Sequence, residues 1–320
     1  MPAAPGAAPG AAPGAAPGAA PDATAASALP ADWRRFDAAT REREYSPSSC
    51  IGGDYAPFVR AYAERSAAAR ASGGAVRRGL AYGDGAAERL DLFLPVPASP
   101  AQRAGALPPL LVFIHGGYWQ ELSKEESSFA AIDAMREGVA FAAIDYTLAP
   151  AASVAAIVAE CRQALAWLHR ESAALGFDGE RIVVAGSSAG AHLAAMCALP
   201  GTAAAACVKA AVLVSGIYEL EPLVGTSINA ALGLDAQAAR AVSPALAGLR
   251  GFPPALVCWG EVETSEFKRQ GADFAGRLRA AGTRCEVLQV HSRNHFDVVL
   301  GLADAATALG ARTLAMLRSA

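Results

Sequence analysis

The chain has 320 residues, a formal net charge of -3 at pH 7 and 53% hydrophobic residues, enough for one large domain with a substantial core. The mildly negative charge gives no electrostatic reason to expect nucleic acid or an anionic membrane surface as a partner. No apolar run approaches the roughly 20 residues of a membrane-spanning helix, so the sequence predicts no segment within a bilayer.

The N-terminal segment has a composition of its own. The motif AAPG recurs four times between Ala3 and Gly18. Proline at every fourth position is incompatible with a helix, and Ala and Gly bury little apolar surface. The segment also lacks the basic start and the apolar block of a secretory signal. The sequence therefore predicts a disordered tail over 1–30 and one folded domain over 31–320.

From residue 55 onward, hydrophobic periodicity predicts an alternation of helices and strands. The predicted helices lie at 55–70, 127–137, 153–175, 189–199, 267–281 and 297–317. The predicted strands lie at 79–82, 89–93, 110–115, 139–146, 181–186, 210–216, 254–260 and 285–290. Strands rich in Val, Leu and Ile that alternate with helices indicate an α/β fold, a mostly parallel sheet with helices on both faces. The segment 217–251 breaks this rhythm, and we interpret it as a small, cap-like helical insertion over the carboxyl edge of the sheet.

Six cysteines are spread along the chain, at Cys50, Cys161, Cys197, Cys207, Cys258 and Cys285. None belongs to a CxxC pair or stands beside histidines at metal-ligand spacing. Most fall in apolar segments, which is typical of buried free thiols. Their pattern predicts a reducing, cytoplasmic compartment and no metal site.

A candidate nucleophile lies in the sequence Gly186-Ser187-Ser188-Ala189-Gly190, between a predicted strand and a predicted helix. A serine at such a tight turn projects its hydroxyl above the edge of the sheet, and the flanking glycines remove side chains that would collide. The helix that follows favours developing negative charge. The alternatives are that Ser188 only caps the helix, or that the glycines bind a nucleotide, although the GxGxxG spacing is absent. Ser187 is interpreted as a turn residue.

A candidate oxyanion loop follows the predicted strand at 110–115. Its sequence is His115-Gly116-Gly117-Tyr118-Trp119. Two consecutive glycines let the chain turn its N–H groups toward a nucleophile, so Gly116 and Gly117, with the N–H of Ala189, are the predicted oxyanion donors. His115 is predicted to brace the loop by hydrogen bonding. Tyr118 and Trp119 are open to two interpretations, since they could line a substrate pocket or pack beneath the loop.

The candidate base is a histidine near the C-terminus. Three other histidines are assigned elsewhere. His115 belongs to the glycine loop, His169 is expected on the surface of an amphipathic helix, and His192 is expected to pack in the interior. A serine, acid, histidine order along the chain requires a base after the last strand. His295 occupies that position, and His291, four residues earlier, is the alternative candidate for the base.

The acid is expected just beyond the penultimate strand, where it can hold the imidazole in one tautomer. The candidates are Glu261, Glu263 and Glu266. A short loop after the strand favours Glu263, whereas Glu266 begins the next helix and can complement its dipole. Asp297 is interpreted as the cap of the last helix.

Several stretches resemble the kynurenine formamidase-like (arylformamidase) branch of the α/β-hydrolases, close to the hormone-sensitive-lipase esterases. The similarity extends from residue 55 to the C-terminus, through YGDGAAERLDLFLP, FIHGGYWQELSKEESSF, ALAWLHRESAALGFDGERIVVAGSSAGAHLAAM, SGIYELEPL, ETSEFKRQ and NHFDVV. The resemblance implies an α/β-hydrolase fold and a triad of Ser188, Glu263 and His295, with Gly116 and Gly117 as the glycine pair.

The chain departs from that branch at three positions. The elbow commonly reads GHSAGG, whereas Ser187 replaces the histidine here and Ala191 the last glycine. The acid is often Asp, and here it is predicted to be Glu263. The longer side chain can reach the same imidazole from a retracted backbone, so these changes bear on the substrate and not on the reaction class.

The sequence therefore predicts a serine hydrolase that cleaves a small carboxylic ester or an aryl formamide through an acyl-serine intermediate, with N-formylkynurenine as the specific candidate. It predicts a small-molecule substrate and neither a metal nor an organic cofactor. The alternatives are a general carboxylesterase and a catalytically inactive binding protein of the hydrolase fold. The oligomeric state stays open, a homodimer included.

Overall fold

The computed structural model describes residues 32–72, 74–96 and 107–320. The predicted disordered tail at 1–30 lies outside these described residues. The strands are β1 (Ala75–Ala81), β2 (Arg89–Leu94), β3 (Leu110–Ile114), β4 (Ala140–Ile144), β5 (Ile182–Ser187), β6 (Val208–Val214), β7 (Ala255–Val262) and β8 (Cys285–Asn294). They form one eight-stranded sheet in the order β1-β2-β4-β3-β5-β6-β7-β8. Neighbouring strands are parallel along β4-β3-β5-β6-β7-β8, whereas the pairs β1–β2 and β2–β4 are antiparallel.

Helices cover both faces of this sheet. They are α1 (Ala38–Glu44), α2 (Ala56–Ala71), α3 (Ala131–Arg136), α4 (Val154–Leu175), α5 (Ala189–Ala198), α6 (Ala203–Cys207), α7 (Asn229–Leu232), α8 (Ala236–Ala241), α9 (Ser265–Ala280) and α10 (Ala308–Ser319). Successive β3 side chains enter different cores, with Leu110, Val112 and Ile114 in one and Leu111 and Phe113 in the other. A strand buried on both faces needs a continuous apolar run, which explains the sequence of β3. The predicted mostly parallel sheet with helices on both faces is confirmed.

The register of the central strands positions the site. In the parallel pair β3–β5, Ile114 is opposite Gly186, and in β5–β6, Ser187 is opposite Val214. The loops that follow β3 and β5 therefore leave the sheet side by side, at its carboxyl edge. This places the glycine loop next to the serine turn.

The prediction of one continuous helix over 297–317 is wrong. The chain forms a 3-10 turn at Val298–Gly301, and the α-helix begins only at Ala308. Its cap is the Thr307 hydroxyl, which accepts a hydrogen bond from the N–H of Gly310 at 3.0 Å. The carboxylate of Asp297 accepts from the N–H of Asn294 at 2.7 Å, so Asp297 orders the preceding loop and does not cap the last helix.

Two other predicted helical regions differ in detail. The helix predicted at 127–137 begins only at Ala131. The segment 217–251 consists of the short helices α7 and α8 and of 3-10 turns at Glu221–Leu223 and Pro244–Leu246. A further helical region, formed by α1 and by 3-10 turns at Trp33–Arg35 and Pro47–Ile51, was not predicted from the sequence. Among the described residues, no helix is both long and apolar enough to cross a membrane.

We expect Phe141→Ala to lower the free energy of unfolding by about 3–5 kcal/mol, because the substitution leaves a cavity that the packed sheet cannot close. Phe141 is fully buried in β4, and its ring centroid lies 6.2 Å from that of Phe93 and 6.4 Å from that of Phe113. Urea unfolding followed by fluorescence measures the change. Val96→Ala, at a side chain that is 68% exposed, should change stability by less than about 0.5 kcal/mol. A loss below about 1 kcal/mol for Phe141→Ala would contradict this packing.

Candidate active site

Ser188 occupies the turn between β5 and α5, in a strained backbone conformation. Its φ is 57° and its ψ is -122°, and its N–H donates to the carbonyl oxygen of Val214 at 2.8 Å. The turn is tight enough to require its glycines. A Cβ at Gly186 would lie 2.1 Å from the Gly190 oxygen, and a Cβ at Gly190 would lie 2.0 Å from the Ile114 oxygen. The strain at a single non-glycine residue is typical of a functional turn.

The glycine loop approaches this turn closely. A Cβ at Gly116 would lie 2.8 Å from the carbonyl oxygen of Ser187, and one at Gly117 would lie 2.3 Å from the oxygen of Glu121. Gly117 also has a φ of 89°, which disfavours any side chain. Within the described ranges, the N–H groups of Gly116 and Gly117 donate to no main-chain oxygen. Ala189 begins α5, so its N–H has no partner within the helix. These are three available donors around Ser188.

The buried ring of His115 braces the glycine loop. Its Nδ1 lies 3.0 Å from the carbonyl oxygen of Gly116, a distance at which an Nδ1–H donates. The ring stacks on Tyr146 at 4.2 Å, and the Tyr146 hydroxyl donates to the main-chain oxygen of His115 at 3.0 Å. This contact set agrees with the bracing function that the sequence predicts.

The two aromatic residues after the glycine pair lie in different environments. Tyr118 lines the cavity above Ser188, and its hydroxyl donates to the main-chain oxygen of Tyr45. Trp119 is fully buried, packs edge-on against His192 at 5.0 Å, and is not among the cavity-lining residues. Of the two interpretations left open for Trp119, lining of the substrate pocket is therefore corrected to packing beneath the loop, because its ring turns into the apolar core.

The structure resolves which acid faces His295. The Nδ1 of His295 lies 3.0 Å from Oε2 of Glu263, and both side chains are buried. The Oε1 of Glu263 accepts from the Ser215 hydroxyl and from the N–H of Gly260, both at 2.6 Å. A buried carboxylate is costly unless its oxygens are satisfied, and all three donors here point at it. Ser215 was not predicted from the sequence. It directly follows β6, next to β7, and that position at the carboxyl edge was its only signal.

The competing acids have other partners. Glu261 lies 2.7 Å from Nδ1 of His291, whose side chain is 85% exposed. Glu266 accepts from the Tyr45 hydroxyl at 2.6 Å and forms a 2.7 Å ion pair with Arg269. Glu261 therefore holds a surface histidine, and Glu266 is a structural carboxylate at the start of α9.

Ser188 and His295 line the same cavity of about 350 Å³. In the part of the chain that the structure describes, no direct hydrogen bond joins the Ser188 hydroxyl to the ring. Such bonds are often loose before substrate binds, so the shared cavity is the relevant observation. Ser187, interpreted as a turn residue, also lines this cavity.

The roof of the cavity comes mainly from the N-terminal region. Residues 45–48 and three side chains of the α2 region line it, whereas the segment 217–251 contributes only Ser227 and Ile228. The α2 side of this roof also contacts the residue that follows the candidate base. The ring of Tyr55 stacks on Phe296, which follows His295, at 5.3 Å.

The same N-terminal region also bonds to the loop after β7. The Thr264 hydroxyl donates to the main-chain oxygen of Glu44 at 2.6 Å, directly after Glu263. Tyr45 then bonds to Glu266, as described above, and burial beside this carboxylate holds the pKa of the Tyr45 phenol well above its usual range. Residues 44–45 thus connect the roof to the loop that carries Glu263.

Metal binding has no evident location here. Within the described ranges, no group of three or more His, Cys, Asp and Glu side chains is arranged to hold a metal ion. All six cysteines are free thiols, four of them buried.

The chain is similar to known proteins in sequence and in structure. Residues 90–220 match the family model BD-FAE. A kynurenine formamidase from Danio rerio is 29% identical over 286 residues, which cover 86% of this chain and 94% of that protein. The structure of a protein from Silicibacter sp. TM1040, which carries the provisional name thioesterase, superposes with a TM-score of 0.73 at 31% identity, covering 84% of this chain and 97% of that one. A hyperthermophilic esterase from Pyrobaculum calidifontis shares the fold, with a TM-score of 0.67 at 23% identity over 82% of this chain and 92% of that one.

We expect the buried His192 to make stability depend on pH. Its Nε2 lies 2.7 Å from the carbonyl oxygen of Val242, and burial lowers its pKa from 6.5 to about 4. The unfolded chain therefore binds the proton below about pH 6.5, whereas the folded chain does so only near pH 4. The stabilisation is complete above pH 6.5 and is lost as the pH falls toward 4. Between pH 7.5 and pH 5 the loss should be about 2 kcal/mol.

Urea unfolding of the wild type and of His192→Gln at both pH values measures this contribution. The variant should lose about 2 kcal/mol less than the wild type over the same interval. Equal pH dependence in the two proteins would contradict a neutral, buried His192.

Proposed function

The chain belongs to the kynurenine formamidase-like, hormone-sensitive-lipase-like esterase group of the α/β-hydrolases, and on this premise we propose that Ser188 is its nucleophile, His295 its base and Glu263 its acid. The chain is a serine hydrolase of esterase or formamidase type. One observation carries the assignment. His295, which pairs with the buried Glu263, lines one cavity together with the strained Ser188 turn and the glycine loop.

The first half-reaction forms an acyl-serine. The Nδ1–H of His295 donates to Glu263, which leaves Nε2 to accept the Ser188 proton as the oxygen attacks the substrate carbonyl. The resulting oxyanion accepts hydrogen bonds from the N–H groups of Gly116, Gly117 and Ala189. Each such donor is typically responsible for a factor of about 10²–10³ in kcat. The imidazolium then protonates the leaving alcohol or amine.

The second half-reaction regenerates the enzyme. Water enters as the new nucleophile and gives a proton to Nε2 of His295 while its oxygen attacks the acyl carbon. The same three N–H donors stabilise the second oxyanion. Its collapse breaks the bond to Ser188, returns the proton to the serine oxygen and releases a carboxylic acid. Glu263 retains its charge throughout and holds the ring in one tautomer.

A small acyl group and an aryl leaving group fit the cavity best. Its volume of about 350 Å³ suits a single-ring substrate. One wall is aromatic, since Phe129 stacks on Tyr62 at 5.3 Å and meets Phe113 edge-on at 5.2 Å. We therefore place short aryl esters and aryl formamides in the substrate class, with N-formylkynurenine as the specific formamide. A general carboxylesterase is the second candidate, because an aromatic wall does not by itself distinguish an ester from an amide.

The free cysteines support a cytoplasmic location. Six free thiols in one chain, four of them buried, are typical of a reducing environment. We place the enzyme in the cytoplasm on this ground.

We expect purified protein to hydrolyse phenyl acetate, N-formylkynurenine or both, and to react with a fluorophosphonate probe at Ser188. Ser188→Ala should abolish labelling and lower kcat by a factor on the order of 10⁵–10⁶, because no other group can form the acyl intermediate. The two substrates separate formamidase from esterase activity. Labelling that persists in Ser188→Ala, or a wild type that neither labels nor turns over either substrate, would overturn the proposal.

Glu263→Gln should lower kcat on phenyl acetate by a factor on the order of 10³–10⁴, because an amide no longer stabilises the imidazolium or enforces the correct tautomer. Glu261→Gln is the matched control, two residues away and bound to an exposed histidine. It should change kcat less than about twofold, within the range of surface substitutions. The reverse ranking of the two variants would assign the acid to Glu261.

A further inference from the structure

The ionisable side chains of the cavity wall are unbalanced in charge. Two carboxylates line it, those of Glu121 and Glu126, whereas Glu263 does not reach its wall. Among the described residues, no Lys or Arg lines this cavity. A substrate group that enters the cavity therefore meets negative charge and no positive charge.

Glu121 stands directly behind the glycine loop. Its N–H donates to the carbonyl oxygen of Gly117 at 3.0 Å, and its Oε2 accepts from the Tyr55 hydroxyl at 3.1 Å. The Tyr55 ring stacks on Phe296 with an interplanar angle of 8°. A solvent-exposed carboxylate bonded to the Tyr55 hydroxyl thus forms one side of the cavity, and the Tyr55 ring stacks on the residue after the proposed base. In the part of the chain that the structure describes, no cation pairs with Glu121.

Glu126 is also without a cation among the described residues. Its Oε2 accepts only from the Ser123 hydroxyl, at 2.8 Å. The basic side chains nearby pair with other carboxylates. Lys124 pairs with Asp91 at 3.4 Å and with Glu125, and Arg70 pairs with Glu125 at 3.3 Å. Lys124 of this loop and Arg70 of α2 therefore neutralise carboxylates that do not line the cavity, and neither pairs with Glu126.

We propose that this cavity selects its substrate by charge and takes aryl esters or formamides whose leaving group carries an ammonium. A carboxylate attracts such a group, and so do the faces of aromatic rings. An anionic leaving group is repelled and loses its hydration without gaining a partner. The inference rests on the proposed function, because it concerns the same site. For N-formylkynurenine, the ammonium finds partners in this cavity, whereas the carboxylate finds none.

The test uses three aryl acetates that differ only in the para substituent. These carry a 2-(trimethylammonio)ethyl, a neutral 3,3-dimethylbutyl or a 2-carboxyethyl group, each separated from the ring by two methylenes. Each enzymatic kcat/KM is divided by the hydroxide-catalysed rate of the same ester, which removes differences in leaving-group reactivity. The cationic ester should exceed the anionic one by at least about tenfold, and the ratio should fall as salt rises from 0.05 to 0.5 M.

Glu121→Gln and Glu126→Gln, singly and together, test the named residues. Each amide retains an oxygen that can accept from Tyr55 or Ser123, so the loop should keep its structure. The double variant should lower the ratio of cationic to anionic turnover by about tenfold. Glu64→Gln is the matched control, since Glu64 is exposed on α2 and does not line the cavity. It removes the same charge and should leave the ratio unchanged.

The outcomes separate this inference from the proposed function. Turnover of the neutral ester that disappears in Ser188→Ala supports the function alone. If that turnover is present but the wild-type ratio is near one or below, or the double variant keeps the wild-type ratio, charge selection is overturned and the function stands. If the wild type hydrolyses none of the three esters and takes no fluorophosphonate label, both fail.

Discussion

The buried carboxylate of Glu263 is the constraint on which the rest of the site depends. Its two oxygens are satisfied by a hydroxyl after β6, an N–H within β7 and a ring nitrogen after β8. A carboxylate in this position is stable only when all these donors are present, so the carboxyl ends of three neighbouring strands must stay in fixed relation. The parallel order β6-β7-β8 meets that requirement, because it brings these ends to one edge.

The N-terminal region depends on the same loops and stabilises them in turn. Glu44 and Tyr45 bond to the loop after β7, and Tyr55 stacks on the residue after the proposed base. The region that covers the cavity is therefore also the region that orders two of the loops with proposed catalytic residues. The cavity is thus covered without a separate domain, which is consistent with the small contribution of the segment 217–251 to the cavity wall.

Shape and charge act at different parts of this cavity. The aromatic wall of Tyr62, Phe113 and Phe129 carries no charged side chain. Glu121 and Glu126 add the electrostatic preference, since Lys124 and Arg70 pair with carboxylates outside the cavity. Homologues that share the same triad could therefore differ in substrate through a few residues of the loop 120–126, because these residues touch the cavity but not the reacting atoms.

The sequence alone determined the features that local chemistry requires. The serine turn needs glycines two residues before and after Ser188, and the loop after β3 needs Gly116 and Gly117, so both could be read as short motifs. The mostly parallel sheet followed from apolar runs alternating with helices, and the reaction class followed from the motifs in their order. These features depend on neighbours in sequence or on periodicity, which the sequence displays directly.

The tertiary structure alone decided the features that depend on distant residues. Three glutamates within six positions were candidates for the acid. The loop length favoured Glu263, and the contact with His295 is visible only in the tertiary structure. The burial of Trp119, the contribution of Ser215 and the roof built from the N-terminal region likewise follow from contacts between segments far apart in the chain. The charge of the cavity belongs to this group as well, because it depends on which cations turn away from Glu121 and Glu126. Such contacts are set by packing of the whole fold, and no local pattern encodes them.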